Sequence, residues 1–239
     1  MIDAFLAKLR ARDDVNPAEE AALRSLVAEV RTIPDRQVFI RRAQELSVST
    51  LLLDGWMARA RDLRAGHRQI TELHLAGDFV DLHSFTLKRL DHDIITLSTC
   101  RVGIVPHDNL SKITKEHPHL TRLLWMMTNI DAAIHREWAV SVARRSAQSR
   151  VAHLMCELLA RLQVVGRAGD ANYELPLSQA ELSECLGLTP VHTNRTLQEL
   201  RRRGLIELER GRLTMLDLPA IKSLGEFDPM YLYLERRPR

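Results

Sequence analysis

The sequence predicts an α+β chain: an antiparallel barrel or sandwich first, one long helix next, and a winged helix-turn-helix last. Three observations carry this. Short apolar stretches at residues 38–40, 48–53, 70–75, 94–97 and 102–105 are separated by the turn signals Pro34-Asp35, Asp54-Gly55, Ala65-Gly66 and Ala76-Gly77-Asp78. Short, punctuated apolar runs of this kind read as paired strands. From Pro118 onward the apolar period becomes helical and stays so. Between Leu175 and Leu216 two short helix signatures flank Gly187, and a hairpin follows.

Taken in order, residues 1–30 read as helix. Phe5, Leu6 and Leu9 share a face, and Asn16-Pro17 opens a second run. Pro17 suits a first helical turn, and Glu19 and Glu20 favour a helix N-terminus. Leu23, Leu26, Val27 and Val30 continue at helical spacing. Residues 31–106 hold the strands, interrupted at 81–92 by a segment suited to a short helix.

Beyond Pro118, Leu120, Leu124, Met127, Ile134 and Trp138 recur at spacings of three and four, widened by Leu123 and Ile130 and interrupted by Asp131. A long helix this apolar needs a partner. The partner is either its own barrel or the same helix of a second copy. The second is favoured, because the barrel offers few other exposed apolar surfaces. Leu120, Leu124, Met127, Ile134 and Trp138 are then the expected seam of a homodimer. Asp131 fits a seam only if solvated or hydrogen-bonded. Residues 146–164 form a further helix, buried on Val151, Leu154, Met155, Leu158, Leu159 and Leu162, and the chain breaks between Gly166 and Gly169.

Composition bounds the function classes. The 239 residues are 45% hydrophobic and 27% charged with a formal net charge of +3. That is ordinary for a globular protein and compatible with a nucleic-acid partner without requiring one. The first residues alternate charge with apolar side chains and no long apolar run follows, so neither a signal peptide nor a membrane span is expected, and the cytoplasm is the expected location. The three cysteines, Cys100, Cys156 and Cys185, form no CxxC pair. Neither a disulfide framework nor a cysteine zinc site is expected.

The informative stretch begins at Leu177-Ser178-Gln179-Ala180-Glu181. Ser178 with Glu181 three residues on is a capping box, and Gly187 suits a left-handed helix end. Thr189 is a good cap for a second helix, Pro190 fits its first turn, and Gly204 stops it after Arg203. Leu197 and Leu200 can face a core, leaving His192, Asn194, Arg195 and Gln198 outward. Alternating residues around Arg210-Gly211 make a hairpin, the wing. Such a second helix enters the major groove of double-stranded DNA. Arg195 is the expected base reader, since a guanidinium donates twice to guanine. Asn194 and Gln198 suit adenine or phosphate, and Ser178 and Gln179 suit phosphate at a helix N-terminus. Thr189, Val191 and His192 complete the expected contact face. The alternative is a small helical hairpin in a structural domain. Charge does not choose between them: from Pro176 to Leu213 six arginines face five glutamates.

These residues carry a resemblance. Leu177-Ser178-Gln179-Ala180-Glu181-Leu182, Leu186-Gly187-Leu188-Thr189, Asn194-Arg195-Thr196-Leu197 and Gly204-Leu205-Ile206 resemble the Crp/Fnr superfamily of bacterial transcription regulators. The resemblance implies a sensory β-roll like a cyclic-nucleotide-binding jelly roll, a dimerisation helix and a winged helix. It implies domains at 1–117, 118–143 and 144–225, with a tail at 226–239. It also implies guanine reading by Arg195, a homodimer on a pseudo-palindromic operator, and RNA polymerase as a further partner. A glutamate often precedes that arginine by four in the family. Val191 stands there, which points to a different half-site and to a thymine methyl contact.

The roll departs from cyclic-nucleotide-binding members. Gly77-Asp78-Phe79-Val80-Asp81-Leu82-His83-Ser84 replaces their phosphate cassette, and Asp91-His92-Asp93-Ile94 stands where an arginine is expected. Asp81, Asp91 and Asp93 repel a cyclic phosphate, so cyclic AMP is not expected. No cysteine precedes Cys100, so an iron–sulfur cluster is not expected either. No other cofactor or metal is expected.

Four histidines, His74, His83, His92 and His107, fall in the roll, and Cys185 falls in the first helix of the motif. A metal- or redox-responsive regulator is therefore the alternative, although Glu181 and Glu184 raise rather than lower the Cys185 pKa. Asp81, His83 and Ser84 hint at hydrolysis, but no nucleophile elbow, P-loop or dinucleotide fingerprint is present, so an enzyme is not expected. A DNA-free interaction module on the long helix is the remaining class.

Overall fold

Asn16 starts the second helix by a capping box: its side chain accepts the Glu19 N–H at 2.9 Å, and Glu19 accepts the Asn16 N–H at 3.0 Å. In the computed structural model, which describes residues 1–64 and 66–238, the N-terminal run is two helices, α1 (Asp3–Arg10) and α2 (Pro17–Arg24). The helix expected to continue through Val30 does not. Val30 lies in β1 (Glu29–Ile33), paired antiparallel with β7 (Cys100–Pro106) from Glu29↔Ile104 to Ile33↔Cys100. Ladder hydrogen bonds here outweigh a local helical period.

Between them come β2 (Val38–Ile40), β3 (Val48–Asp54), β4 (Met57–Asp62), β5 (Arg68–His74), α3 (Ser84–Leu87) and β6 (Asp93–Thr96). All five expected strands are present, and α3 falls within the expected interruption. Ala65, half of one expected turn signal, lies outside the described residues. Two antiparallel sheets form, in the orders β1-β7-β3 and β2-β6-β4-β5. They close over a core that includes Leu52, Met57, Val80, Ile94, Cys100 and Val102. Strand β4 was not foreseen because Arg59 and Arg61 break its apolar run, yet Arg59 is itself buried.

Helices α4 (His107–Glu116) and α5 (Pro118–Arg144) follow, then α6 (Ala147–Val164), β8 (Asn172–Glu174), α7 (Gln179–Leu186), α8 (Pro190–Arg202), β9 (Ile206–Glu209), β10 (Arg212–Met215), α9 (Leu218–Leu224) and a 3-10 turn at Pro229–Leu232. The three cysteines are buried and unbridged. Among the described residues no helix is long and apolar enough to cross a membrane.

The chain forms two compact units. One comprises Met1–Arg61, Leu73–Ala132 and the residues from Tyr233 on; the other comprises Asp62–Glu72 and Ala133–Leu232. In the first, the C-terminal segment packs on the N-terminal helical region: the Arg237 N–H donates to the Arg12 carbonyl at 2.9 Å, and Arg236 pairs with Asp14. In the second, a buried polar network ties α5, α6 and the final turn together. Glu157, fully buried, accepts from Trp138 Nε1 at 3.0 Å, from Arg161 at 2.9 Å and from the Tyr231 hydroxyl at 2.8 Å. A buried carboxylate with this many charge-assisted donors is stable only in one arrangement of its neighbours.

Candidate nucleic-acid interface

The two helices of the motif are built by local chemistry. Ser178 accepts the Glu181 N–H at 3.2 Å, and Glu181 accepts the Ser178 N–H at 2.7 Å, which starts α7. Gly187 ends it at φ +61°. A side chain there would be strained, and its Cβ would lie 3.1 Å from Val142. Arg150 of α6 donates to the Leu186 carbonyl at 3.0 Å, satisfying one of the open carbonyls at that helix end. Thr189 caps α8 by accepting the His192 N–H at 3.2 Å, with Pro190 in the first turn.

Helix α8 is sharply two-sided. Thr193, Thr196, Leu197 and Leu200 are buried. Val191, His192, Arg195 and Gln198 are exposed, Val191 at 72%, and Asn194 is half-buried. The outward face is therefore the one expected from sequence. Its arginines divide by partner. Arg201 donates to the Leu208 carbonyl of β9 at 3.1 Å, Arg202 pairs with Glu199 at 2.7 Å, and Arg203 donates to Gln148 of α6 at 2.9 Å. Among the described residues Arg195 alone of the four has no hydrogen bond or ion pair within the chain, so its donor fork is open to a ligand.

The wing is a three-stranded sheet in the order β8-β10-β9, with β9 and β10 joined at Arg210-Gly211, both at positive φ. Such φ values suit a tight two-residue hairpin. Tyr173 anchors the sheet, its buried hydroxyl donating to the Met155 carbonyl at 3.1 Å. Strand β8 was not read from sequence, because it pairs with a strand distant along the chain, Glu174 opposite Arg212; the Arg201 pin to Leu208, seven residues on, leaves no pattern in the sequence. Ser178, Gln179 and Thr189 lie at the helix starts where they were expected. Gln179 has a further role that spacing does not reveal: its Oε1 accepts from Asn194 Nδ2 at 3.1 Å.

Of the five residues expected as a seam on α5, four are covered by the chain itself. Leu120, Leu124, Ile134 and Trp138 are buried within the single chain, and Met127 is half-buried. The stripe that faces solvent is Trp125, Asn129, Ala132, Arg136, Ala139 and Ala143, with Val140 beside it. These residues alternate at four and three, the spacing of a helix-pairing seam. Trp125 is 67% exposed and Val140 50%.

In the roll, the residues that hinted at hydrolysis do not assemble. His83 Nδ1 lies 3.5 Å from Arg59, Asp81 accepts the Thr50 N–H, and Ser84 sits 3.3 Å from His107 Nε2 and 3.2 Å from Ser49. Burial pushes the Asp81 carboxyl up to about 7, against the pull of the Thr50 N–H and of Arg59. Burial takes His83 down to about 4, helped by the Arg59 and His92 charges. Lys8 pairs with Asp78 of the cassette segment. Cys185 is fully buried, and burial, then Glu184 and Glu181, hold its thiol well above the ordinary range.

The comparisons with known proteins converge on one family. A family model for the Crp-like helix-turn-helix domain matches residues 149–224. A protein of Rhizobium leguminosarum bv. viciae named probable transcriptional activator is 31% identical over 175 residues, 72% of this chain and 71% of its own. The transcriptional activator protein FnrA of Stutzerimonas stutzeri is 23% identical over 223 residues, 93% of this chain and 91% of its own. The solved structure of FixK2 from Bradyrhizobium japonicum has a TM-score of 0.77 at 22% identity, covering 85% of this chain and all of that one, and so shares the fold. With its antiparallel roll, long helix and winged C-terminal motif, the chain belongs to the Crp/Fnr family of transcription regulators.

Proposed function

We propose that two copies of this DNA-binding regulator read a pseudo-palindromic operator, each laying α8 in the major groove of one half-site. The observation that carries this is Arg195: an arginine on the exposed face of α8, open at all its donors while its three neighbours are tied to the protein. A guanidinium so placed reads guanine O6 and N7. Ser178 at the start of α7 and Arg210 at the wing tip suit phosphates, which position without specifying. His192 and Gln198 extend the contact face, and Val191 suits a thymine methyl group.

The second copy is proposed to pack against the exposed α5 stripe around Trp125, Ala132 and Val140. Two-fold pairing along that helix would set the recognition helices one DNA turn apart. Gel-shift titration of the full chain tests this. A duplex carrying an inverted repeat should bind one dimer, with affinity falling steeply as salt rises. Binding independent of salt, or one monomer per duplex, contradicts the proposal.

The roll is proposed to answer to something other than cyclic AMP or an iron–sulfur cluster. The cassette segment carries acids engaged with the protein itself, Asp78 with Lys8 and Asp81 with Thr50. Calorimetric titration with cyclic AMP should show no heat of binding. The relatives named activators support contact between the bound dimer and RNA polymerase, which transcription in vitro from an operator-bearing promoter tests. A redox role for Cys185 is not favoured, because its thiol is buried and held protonated. Operator affinity should be unchanged by peroxide.

A further inference from the structure

We infer that Gln179 is a positioning residue for base readout, presenting Asn194 to an adenine, rather than a phosphate contact. The inference rests on the operator-binding reading of α8.

Asn194 Nδ2 donates to Gln179 Oε1 at 3.1 Å across the two helices of the motif. A carboxamide carries two N–H donors and one carbonyl. One donor is taken by Gln179. Among the described residues the Asn194 Oδ1 has no partner, so a carbonyl and one N–H remain together on the amide. The major-groove edge of adenine offers their complement, an N6 donor beside the N7 acceptor. Reversing both amides would engage Oδ1 with a Gln179 N–H and leave Asn194 presenting donors, the match for guanine. The acceptor at position 179 thus selects between two bases that Asn194 can read. Gln179 is held for this at the first turn of α7, fixed by the Ser178–Glu181 capping box. Arg195, next along α8, has no part in the pair and reads its guanine independently.

The test is selection of bound duplexes from a random library by the full chain and four variants. The wild type should select an adenine in each half-site besides the Arg195 guanine, preferred by roughly tenfold, within the range of a bidentate contact. Asn194→Ala should erase that preference alone. Gln179→Ala should relax it at the same position. Gln179→Glu, which can only accept, should keep adenine even if overall affinity drops. Gln179→Lys, which can only donate, should turn the position toward guanine. Variants at Gln179 that weaken all sequences equally, with the base profile intact, overturn the inference and restore a phosphate role. A consensus unaffected by Asn194→Ala overturns it as well while leaving the operator reading standing. A folded wild type that selects no operator overturns both.

Discussion

Asp131, at the middle of α5, pairs with Arg59 of β4 at 2.7 Å. The acid that interrupts the apolar stripe of the long helix is thus the counterion of a buried arginine, only 4% exposed on its side chain. Arg59 also donates to the Val80 carbonyl at 3.1 Å. Removing one member of a buried pair leaves a desolvated charge, which costs more than the pair itself contributes. Asp131→Ala should therefore destabilise the first unit by about 2–3 kcal/mol, somewhat below the full penalty because the carboxylate is partly solvated. Arg59→Met combined with Asp131→Leu should recover most of that loss. Urea denaturation of the three proteins measures it; equal midpoints for the wild type and Asp131→Ala would show that the pair is dispensable.

Arg195→Ala removes the open donor fork from α8 while leaving its buried face untouched. The expected cost is about 1–3 kcal/mol per half-site, with discrimination lost at one base pair. Arg202→Ala, on the same helix but tied to Glu199, should leave the sequence preference unchanged. Competition binding against single-base operator variants separates the two.

The two faces of α5 should respond differently to charge. Trp125→Asp or Val140→Asp places a carboxylate on the exposed stripe, so the chain should stay folded and lose dimerisation. Ile134→Asp places one in the chain's own interior and should unfold it, since a buried unpaired charge is among the most destabilising changes. Sedimentation velocity with circular dichroism reads both. A Trp125→Asp chain that remains dimeric at low concentration would put the seam elsewhere.

Asp81 gives the roll a pH dependence of known sign. Its carboxyl titrates near 7 when folded and near its ordinary value of 3.8 when unfolded. Between those values the folded chain holds a proton that the unfolded chain has released, so stability from this group falls as pH rises from about 4 to about 7. His83, held at about 4, acts oppositely, adding stability as pH rises from about 4 to about 6.5. The two slopes oppose each other in the wild type. Asp81→Asn keeps an acceptor for the Thr50 N–H and removes the falling slope, so the variant should gain stability relative to wild type as pH is raised from 4 to 7. Thermal melts across that range measure the difference, and parallel curves would contradict it.

The C-terminal motif was legible in sequence because its determinants are local. Ser178, Glu181, Gly187, Thr189 and Pro190 act within a few residues of themselves, and the structure places each as expected. Strands β1 and β4 were hidden for the opposite reason. Val30 follows a helical period but takes its hydrogen bonds from β7, and Arg59 reads as polar yet is buried on Val80 and Asp131. On α5 the apolar stripe is legible, but Leu120, Leu124, Ile134 and Trp138 on it are covered by the chain itself. Periodicity says which face of a helix is dry, not whose atoms dry it. Trp125, Ala132 and Val140, proposed here as the dimer face, are too mixed a set to stand out in sequence. The Gln179–Asn194 bond, fifteen residues apart along the chain, leaves no periodic trace at all.

The most direct test of the central claim is selection from a random duplex library by the purified wild-type chain, with no ligand added, beside Arg195→Ala. The account predicts a two-fold symmetric consensus with half-site centres about 10 base pairs apart and a guanine in each half-site that the Arg195→Ala chain no longer requires. A consensus without two-fold symmetry, or one in which Arg195→Ala demands the same bases as the wild type, would contradict it.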